Sequence, residues 1–331
     1  MIDPGAPVTA AAEFIGQGSL VRRVFSRVGA ERPQSVAVIG GSRSGKTSLL
    51  NHLADSSVAR SHLRDFEKYL FFEFRAAKDQ GDDPDSFLSC FSERLGVVVP
   101  PGTNRYEELR GKIEELHGSG MKLVALLDDF HFVTTNEHFP LEFFSFLRSM
   151  ANNYNVAYVT TSILELQRLC SAKEVQESPF FNIFTNMHLG MLSPDDAQSL
   201  LAGSSKCGAP QAARLAAWCG GSPFILKVAA SRVEEGALGE SNGDAEYDTI
   251  LSPSLVPYFS QVLSFLPPQA ARPLGAISRG KSPNESESYH LAPLIKQGFL
   301  RENVEGIEVA IPAFACFLRS DFAPRMLTGS C

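Results

Sequence analysis

Cysteine is scarce and scattered in this chain. The six cysteines form no CxxC pair and show no Cys/His spacing suited to zinc. Widely separated thiols of this kind are typical of reduced, mostly buried side chains in a cytoplasmic protein. The pattern argues against a disulfide-stapled secreted domain and against a zinc site, and it predicts a cytoplasmic location.

The chain also lacks long apolar runs and an excess of positive charge. No apolar run approaches the length of a membrane span, and the first residues lack the basic and apolar segments of a signal peptide. The net charge of −7 gives no electrostatic reason to expect a nucleic-acid partner. A chain of 331 residues suits two or three domains, and we expect no membrane span and no nucleic-acid partner.

A phosphate-binding loop is the most informative motif that is present. Residues 40–47 read GGSRSGKT, which fits GxxxxGKT, and they follow an apolar strand and precede a helix. The backbone N–H groups of such a loop, and of the helix that follows, point at phosphate oxygens. The predicted nucleotide-binding residues of this segment are Gly40, Gly41, Ser42, Arg43, Ser44, Gly45, Lys46, Thr47 and Ser48.

Two side chains of this loop carry its chemistry. We expect Lys46 to be exposed and to reach the β- and γ-phosphates, and we expect the Thr47 hydroxyl to ligate Mg²⁺. ATP or ADP, together with Mg²⁺, is therefore the predicted set of cofactors.

An apolar strand that ends in two acids supplies the partner of the loop. Residues 123–129 read LVALLDD, and the strand end places Asp128 beside the phosphates, where it can hold the metal. Asp129 is then placed to orient or deprotonate the attacking water as a general base. The predicted catalytic residues are Lys46, Asp128 and Asp129, and the predicted metal ligands are Thr47 and Asp128. The alternative is a strand that merely ends in a polar turn.

The order of elements indicates an α/β fold. Candidate strands alternate with helices in the first half of the chain, at residues 36–40, 69–75, 122–128, 156–161 and 186–189. Such alternation predicts parallel βαβ units and a twisted sheet that is covered on both faces. We therefore predict a P-loop parallel-sheet ATPase domain at residues 1–190.

The pattern changes after this predicted domain. A helix start at Ser193 opens a helical domain at residues 191–235, and the polar, Gly-rich stretch at residues 236–252 is typical of a linker or long loop. Short helices, followed by two strands around a turn at residues 304–306, indicate a winged-helix domain at residues 253–331.

Together these motifs resemble the STAND ATPases, the signal-transduction branch of the AAA+-like P-loop proteins, over almost the whole chain. Besides the loop and the LDD strand, residues 14–17 (FIGQ) resemble the family's F-[VI]-G-R box, which lies near the adenine. Residues 221–224 (GSPF) resemble the GxP motif, whose proline packs against the base. The resemblance implies nucleotide contacts from Phe14, Ile15 and Pro223.

The resemblance also implies a γ-phosphate sensor at the end of the strand that follows the two acids. Thr161 or Ser162 would fill this position, although β-propensity alone also explains threonines at a strand end. This strand reads TTR in many relatives and TTS here, so their γ-phosphate arginine is missing. Arg43, Arg75 and Arg148 are candidate substitutes.

Two further departures from the family concern the nucleotide-locked state. The winged helix of many relatives carries a histidine that touches the β-phosphate and holds the ADP form, and Pro312 stands at that position here. Gln17 replaces the arginine of the F-[VI]-G-R box. These departures bear on hydrolysis more than on nucleotide binding, and they predict low turnover.

The resemblance implies an ATP-binding, slowly hydrolysing switch that controls assembly with protein partners in a signalling or defence pathway. Those partners would supply the effector or sensor function, and self-association into a homo-oligomer is a further expectation. Two alternatives stay open: an AAA+ DNA-associated ATPase with a winged helix, and a nucleotide-bound scaffold without turnover. Against the first, residues 286–298 contain a single lysine, Lys296.

Overall fold

The computed structural model describes residues 3–76, 82–98, 100, 102–170, 172–204 and 206–320, except for the side chain of Glu285. The strands are β1 (Ser35–Ile39), β2 (Tyr69–Arg75), β3 (Lys122–Asp128), β4 (Val156–Ser162), β5 (Phe184–His188), β6 (Leu300–Asn303) and β7 (Gly306–Val309). The helices are α1 (Gly18–Val28), α2 (Lys46–Ala54), α3 (Ser56–His62), α4 (Pro84–Arg94), α5 (Arg105–Gly118), α6 (His131–Thr134), α7 (Leu141–Asn153), α8 (Lys173–Gln176), α9 (Pro194–Ala202), α10 (Ala209–Cys219), α11 (Pro223–Glu234), α12 (Asp244–Ser264), α13 (Ala271–Ile277), α14 (Glu285–Ser288), α15 (Ala292–Lys296) and α16 (Pro312–Arg319).

A five-stranded parallel sheet organises the first half of the chain and confirms the predicted α/β fold. Its strand order is β2-β3-β4-β1-β5. Every residue of β1 and β4 is buried, and so is every residue of β3 after the first. Strands that are apolar on both faces require cover on both sides of the sheet. The predicted strands agree with the observed ones to within two residues at each end.

The strand order brings the carboxyl ends of β1, β3 and β4 to one edge of the sheet. β4 lies between the other two, with Val38 of β1 beside Thr161 and Leu127 of β3 beside Thr160. The loop that follows β1 leads into α2, and the two acids follow β3. Because parallel strands share one carboxyl edge, the loop and the acids meet there.

Each face of the sheet is covered by its own apolar layer. One layer is rich in phenylalanine, and the rings of Phe87 and Phe143 meet edge to face with centroids 5.1 Å apart. Phe180, which precedes β5, belongs to the same layer and is fully buried. Aromatic pairs prefer such tilted contacts over face-to-face stacking. On the other face, α1 and α2 bury Val24 and Leu49.

A third apolar core lies in the C-terminal half of the chain. It takes residues from α9 to α16, among them Trp218, Tyr247 and Phe314. The antiparallel pair of β6 and β7 contributes to this core and is followed by α16. The division into a helical domain at residues 191–235 and a winged-helix domain at residues 253–331 stays a prediction. Residues 321–331 of the latter lie outside the described residues.

The predicted linker at residues 236–252 differs from the structure in its second half. α12 begins at Asp244, and Tyr247 and Leu251 on this helix are buried in the C-terminal core. The side chain of Glu246 accepts a hydrogen bond from the N–H of Gly243, which stabilises the helix start. The composition of the segment is that of a loop, but apolar residues four positions apart bury one helix face.

Among the residues that the structure describes, no single helix is long and apolar enough to cross a membrane. By length and composition alone, one helix pair passes that test, namely Asp244–Ser264 with Pro268–Ile277, and it is bent by 119°. Leu251 and Leu274 of this pair are fully buried within the protein.

The phenylalanine layer generates a stability prediction. Phe180→Ala should lower the free energy of unfolding by about 3–5 kcal/mol, because it removes a fully buried ring and leaves a cavity. Phe132→Ala is the matched control, since its ring is 51% exposed and should cost less than about 1 kcal/mol. Chemical denaturation measures both values, and equal losses would contradict the assigned core.

Candidate active site

The loop between β1 and α2 depends on two glycines and a left-handed arginine. Gly45 has a φ of 98° and Arg43 a φ of 56°. A Cβ at Gly40 would lie 2.6 Å from the Ser44 hydroxyl, so that hydroxyl would have to move to make room for a side chain. α2 begins at Lys46, directly after the loop, and its first N–H groups have no partner within the helix. The loop therefore presents backbone donors and the positive end of α2 at one place.

Lys46 is buried, so the prediction of an exposed side chain is wrong. The residue is 7% exposed. Its ammonium group donates hydrogen bonds to the carbonyl oxygens of Gly40 and Gly41, both at 3.1 Å. Burial lowers the pKa of Lys46, and the carboxylates of Asp129 and Asp128 oppose that effect. The side chain folds back across the loop because these oxygens offer it partners there.

Asp128 is the residue at which three chain segments meet. Thr47 of α2 donates a hydrogen bond from Oγ1 to Oδ2 of Asp128 at 2.7 Å. Thr161 of β4 donates from Oγ1 to Oδ1, also at 2.7 Å. The aspartate is only 6% exposed. The structure thus brings the two predicted metal ligands, Thr47 and Asp128, into direct contact.

Asp129 lies beside this carboxylate in a left-handed backbone conformation. Its φ is 48°, and its N–H donates to Oγ1 of Thr161 at 2.8 Å. Its side chain is 34% exposed, and Oδ1 lies 3.9 Å from Nζ of Lys46. Burial raises the pKa of Asp129, Lys46 opposes the rise, and the charge of Asp128 adds to it. A carboxyl group with a raised pKa accepts a proton more readily, as a general base must.

The residues present fit both Mg²⁺ and a phosphate chain. The hydroxyl of Thr47 and the carboxylate of Asp128 are hard oxygen ligands, which Mg²⁺ prefers. The Ser44 hydroxyl is buried and has no hydrogen-bond partner within the described part of the chain. A phosphate oxygen would satisfy it. At Gly45, an added Cβ would meet nothing within 4 Å, so the loop is open on that side.

Thr161 and Ser162, the predicted γ-phosphate sensors, are both fully buried. The Thr161 hydroxyl donates to Asp128, and the Ser162 hydroxyl donates to the carbonyl of Leu164 at 2.5 Å. In the structure Thr161 therefore orients the predicted metal ligand. Direct contact with a γ-phosphate stays a prediction for both residues.

The residues predicted to contact the base come from two separate segments. Phe14 stacks on His52 of α2, with ring centroids 4.4 Å apart, and Ile15 follows it, partly buried. Pro223 is the first residue of α11 and is also partly buried. Their contact with an adenine stays a prediction.

The candidate substitutes for the missing arginine lie in different surroundings. The guanidinium carbon of Arg43, in the loop, lies 4.6 Å from the ring centroid of Phe224. Arg75 ends β2 and pairs in register with Asp128 on the neighbouring strand. Arg148 lies on α7. Arg43 is thus the candidate that belongs to the loop itself, and in this structure it faces an aromatic ring of α11.

Two glutamines that contact the loop were missed by the sequence analysis. Oγ of Ser42 donates to Oε1 of Gln261 on α12 at 2.9 Å. Gln297, directly after α15, lies so close to Gly41 that a Cβ there would be 2.7 Å from its Oε1. No local pattern marks either glutamine, and 219 residues separate Ser42 from Gln261. His131, two positions after Asp129, was also missed, although its closeness to the two acids in sequence was a signal.

A buried strand, a glycine loop, a helix start and an acid held by the loop threonine define a P-loop NTPase. The model of the family described as Novel STAND NTPase 2 (nSTAND2) matches residues 30–244, which is more than half of the chain. The chain therefore belongs to this family, and the resemblance to STAND-type ATPases is confirmed. None of the curated proteins matches the chain significantly in sequence.

Solved structures of similar fold cover nearly all of the chain. The Walker-type ATPase PABY2304 of Pyrococcus abyssi is 12% identical, with a TM-score of 0.63 over 95% of this chain and 99% of that one. The Aeropyrum pernix ORC2 protein in its ADPNP–ADP complexes is 12% identical, with a TM-score of 0.59 over 99% and 96%. The ORC1 protein of the same organism, in complex with DNA, is 14% identical, with a TM-score of 0.52 over 97% and 94%. At these identities the likeness shows the fold alone.

The two threonines at the end of β4 generate a prediction about metal binding. Thr161→Val should weaken Mg²⁺-dependent nucleotide binding by about 10- to 100-fold, because it removes a donor that fixes Asp128. Thr160→Val is the matched control. Its hydroxyl is buried and has no partner among the described residues, so valine should leave binding unchanged. Titration calorimetry with and without Mg²⁺ measures both, and equal affinities would contradict the role given to Thr161.

Proposed function

We propose that this STAND-family NTPase is an ATP-binding, slowly hydrolysing switch that controls assembly with protein partners in a signalling or defence pathway of the cytoplasm. The observation that carries the proposal is the contact between the phosphate loop and the C-terminal half. Gln297 lies against Gly41, and Gln261 accepts a hydrogen bond from Ser42. A change in the phosphates at the loop therefore acts on contacts that join the two halves of the chain.

The proposed hydrolysis uses the loop lysine and the two acids. Lys46 would donate to the β- and γ-phosphates in place of the loop carbonyls that it contacts in the structure. Asp129 would orient the attacking water and accept its proton, and its raised pKa supports this role. Mg²⁺, held by Thr47 and Asp128, would offset the negative charge of the phosphates.

Slow turnover is proposed because β4 ends without the arginine of the relatives. An arginine that stabilises the charge of the transition state is worth about 10³–10⁵ in rate. The strand ends in Thr160, Thr161 and Ser162, and Arg43 of the loop faces Phe224. Thr161, moreover, uses its hydroxyl on Asp128. These contacts support nucleotide binding more than rapid hydrolysis.

The proposed switch needs only a modest difference in free energy. Moving a two-state equilibrium from 1:99 to 99:1 takes about 5.5 kcal/mol of differential binding. The Ser42–Gln261 hydrogen bond and the Arg43–Phe224 contact are each worth about 1 kcal/mol. A γ-phosphate that disturbs the loop can therefore outweigh them. Loss of these contacts would expose the surface of the C-terminal half that they cover. We propose that this surface binds protein partners that carry effector or sensor function, or a second copy of this chain.

The first test concerns the loop lysine. Lys46→Ala should reduce ATP affinity by about 10- to 100-fold, since it removes a charged donor worth about 1.5–3 kcal/mol. Lys173→Ala is the control, because that side chain is 83% exposed on α8. Thermal denaturation should accompany the calorimetry, because Lys46 is buried. A folded Lys46→Ala protein with unchanged ATP affinity would rule out the assigned phosphate site.

The second test separates the two acids. Asp129→Asn should retain ATP affinity and lower turnover by about 10²–10⁴, as expected on loss of a general base. Asp128→Asn should instead weaken Mg²⁺-dependent binding. Phosphate release under saturating ATP measures the first effect and calorimetry the second. Wild-type turnover in the Asp129→Asn variant would contradict the general-base role, and a wild-type protein that binds ATP without turnover would favour the scaffold.

A DNA-associated ATPase is the second candidate function. The observation in its favour is the fold likeness to the Aeropyrum pernix ORC proteins, one of which was solved in complex with DNA. Against it, Lys296, the single lysine of residues 286–298, forms an ion pair with Glu165 at 2.9 Å. A helix that reads DNA usually carries a basic stripe. The net charge of −7 points in the same direction.

Duplex binding distinguishes the two candidates. Fluorescence anisotropy at low salt, with and without ATP, should show no binding if the C-terminal segment contacts protein. A DNA-associated ATPase would instead bind with sub-micromolar affinity that falls steeply with added salt, because phosphate contacts release counterions. That result would replace the proposed switch by the second candidate.

A further inference from the structure

His131 is a buried polar side chain that neither the sequence analysis nor the proposed hydrolysis uses. It is the first residue of α6 and follows Asp129 by two positions. The residue is 8% exposed, and Nδ1 is buried with no hydrogen-bond partner among the described residues. A buried nitrogen without a partner costs about 1–3 kcal/mol. A cost of this size calls for a role that offsets it.

The Nδ1 atom of His131 lies close to Asp129, the predicted general base. Nδ1 of His131 and Nζ of Lys46 are each 3.9 Å from the same atom, Oδ1 of Asp129. The imidazole ring stacks on Phe132, with centroids 4.4 Å apart and an interplanar angle of 30°. The Asp129 carboxylate therefore lies within 4 Å of both the imidazole and the loop lysine.

The imidazole is neutral near pH 7. Burial and, to a lesser extent, the charge of Lys46 lower the pKa of His131 to about 4, against the opposing charge of Asp128. A neutral imidazole carries one N–H, and the acceptor that it faces decides which nitrogen bears the hydrogen. A carboxylate oxygen in front of Nδ1 favours the Nδ1–H tautomer. The separation of 3.9 Å is longer than a hydrogen bond, but catalytic contacts are often long in the free enzyme and tighten with substrate.

We propose that His131, as the Nδ1–H tautomer, is a positioning residue that orients the Asp129 carboxylate toward the attacking water. The inference rests on the proposed ATP hydrolysis. In that step the water oxygen bonds to the γ-phosphorus, and the bond to the bridging oxygen breaks with its electron pair left on ADP. Asp129 accepts the proton of the water and passes it to the phosphate product. His131 keeps its own proton throughout and acts through Asp129.

Three substitutions separate the two ring nitrogens. The side-chain amide of asparagine places a donor near the position of Nδ1, glutamine places one near Nε2, and leucine supplies none. His131→Asn should keep kcat within about threefold of wild type. His131→Gln and His131→Leu should lower kcat by about 10- to 100-fold with ATP affinity unchanged, as for loss of an orienting partner. The proposal would be overturned if His131→Gln had the same kcat as His131→Asn, or if kcat were unchanged in all three variants.

The control for these substitutions is another stacked histidine. His62, at the end of α3, stacks on Phe25 with centroids 4.7 Å apart. His62→Asn should leave kcat and ATP affinity unchanged. A loss of kcat in His62→Asn as large as in His131→Gln would show a general effect of losing a histidine stack, and that would count against a specific role of His131.

A second measurement does not depend on turnover. In ¹⁵N-labelled protein at neutral pH, the imidazole resonances of His131 should show a protonated Nδ1 and a free Nε2. Asp129→Ala removes the acceptor and should shift His131 toward the Nε2–H tautomer. An Nε2–H tautomer in the wild-type protein would overturn the inferred contact. If the wild type binds ATP but never hydrolyses it, the proposed hydrolysis and the catalytic part of this inference both fail, while the tautomer still decides the contact with Asp129.

Discussion

The arrangement of the site depends on how the Asp128 carboxylate is held. Thr47 and Thr161 each donate to one of its oxygens at 2.7 Å, so the end of β3 is tied to α2 and to β4 at once. A buried carboxylate without donors would cost several kcal/mol, and two hydroxyls reduce that cost. Because Thr161 also accepts from the N–H of Asp129, the same threonine fixes where the second acid begins. The hydroxyl of Thr161 therefore contacts both acids.

Much of the first half could be predicted because its signals are local. The loop glycines, Lys46 and Thr47 lie within eight residues of one another, at positions 40–47, and continuous apolar strands are typical of a parallel sheet. The contacts of Gln261 and Gln297 could not be predicted in this way. A glutamine has no preferred partner in sequence, and only the packing of the C-terminal core brings these two to the loop.

Two departures from the sequence-based expectations have a common cause. Lysine is rarely buried, so exposure is the natural expectation for Lys46, yet two loop carbonyls and the Asp129 carboxylate give it partners. The predicted linker at residues 236–252 has the composition of a loop, yet its residues Tyr247 and Leu251 pack into the C-terminal core. In both cases the expectation rests on how residues of a given type are placed on average in proteins. The outcome depends on acceptors or apolar surfaces supplied by distant parts of the chain.

One residue of the loop, Gly41, is contacted both by the loop lysine and by the C-terminal half of the chain. The carbonyl of Gly41 accepts a hydrogen bond from Lys46, and the same glycine has Gln297 against its α-carbon. In the proposed switch, phosphate oxygens compete with the carbonyls of Gly40 and Gly41 for the lysine ammonium. Nucleotide binding would then change the loop at the position that the C-terminal half contacts. Coupling of this kind needs no histidine at the position of Pro312, because the loop backbone itself links the phosphates to Gln297.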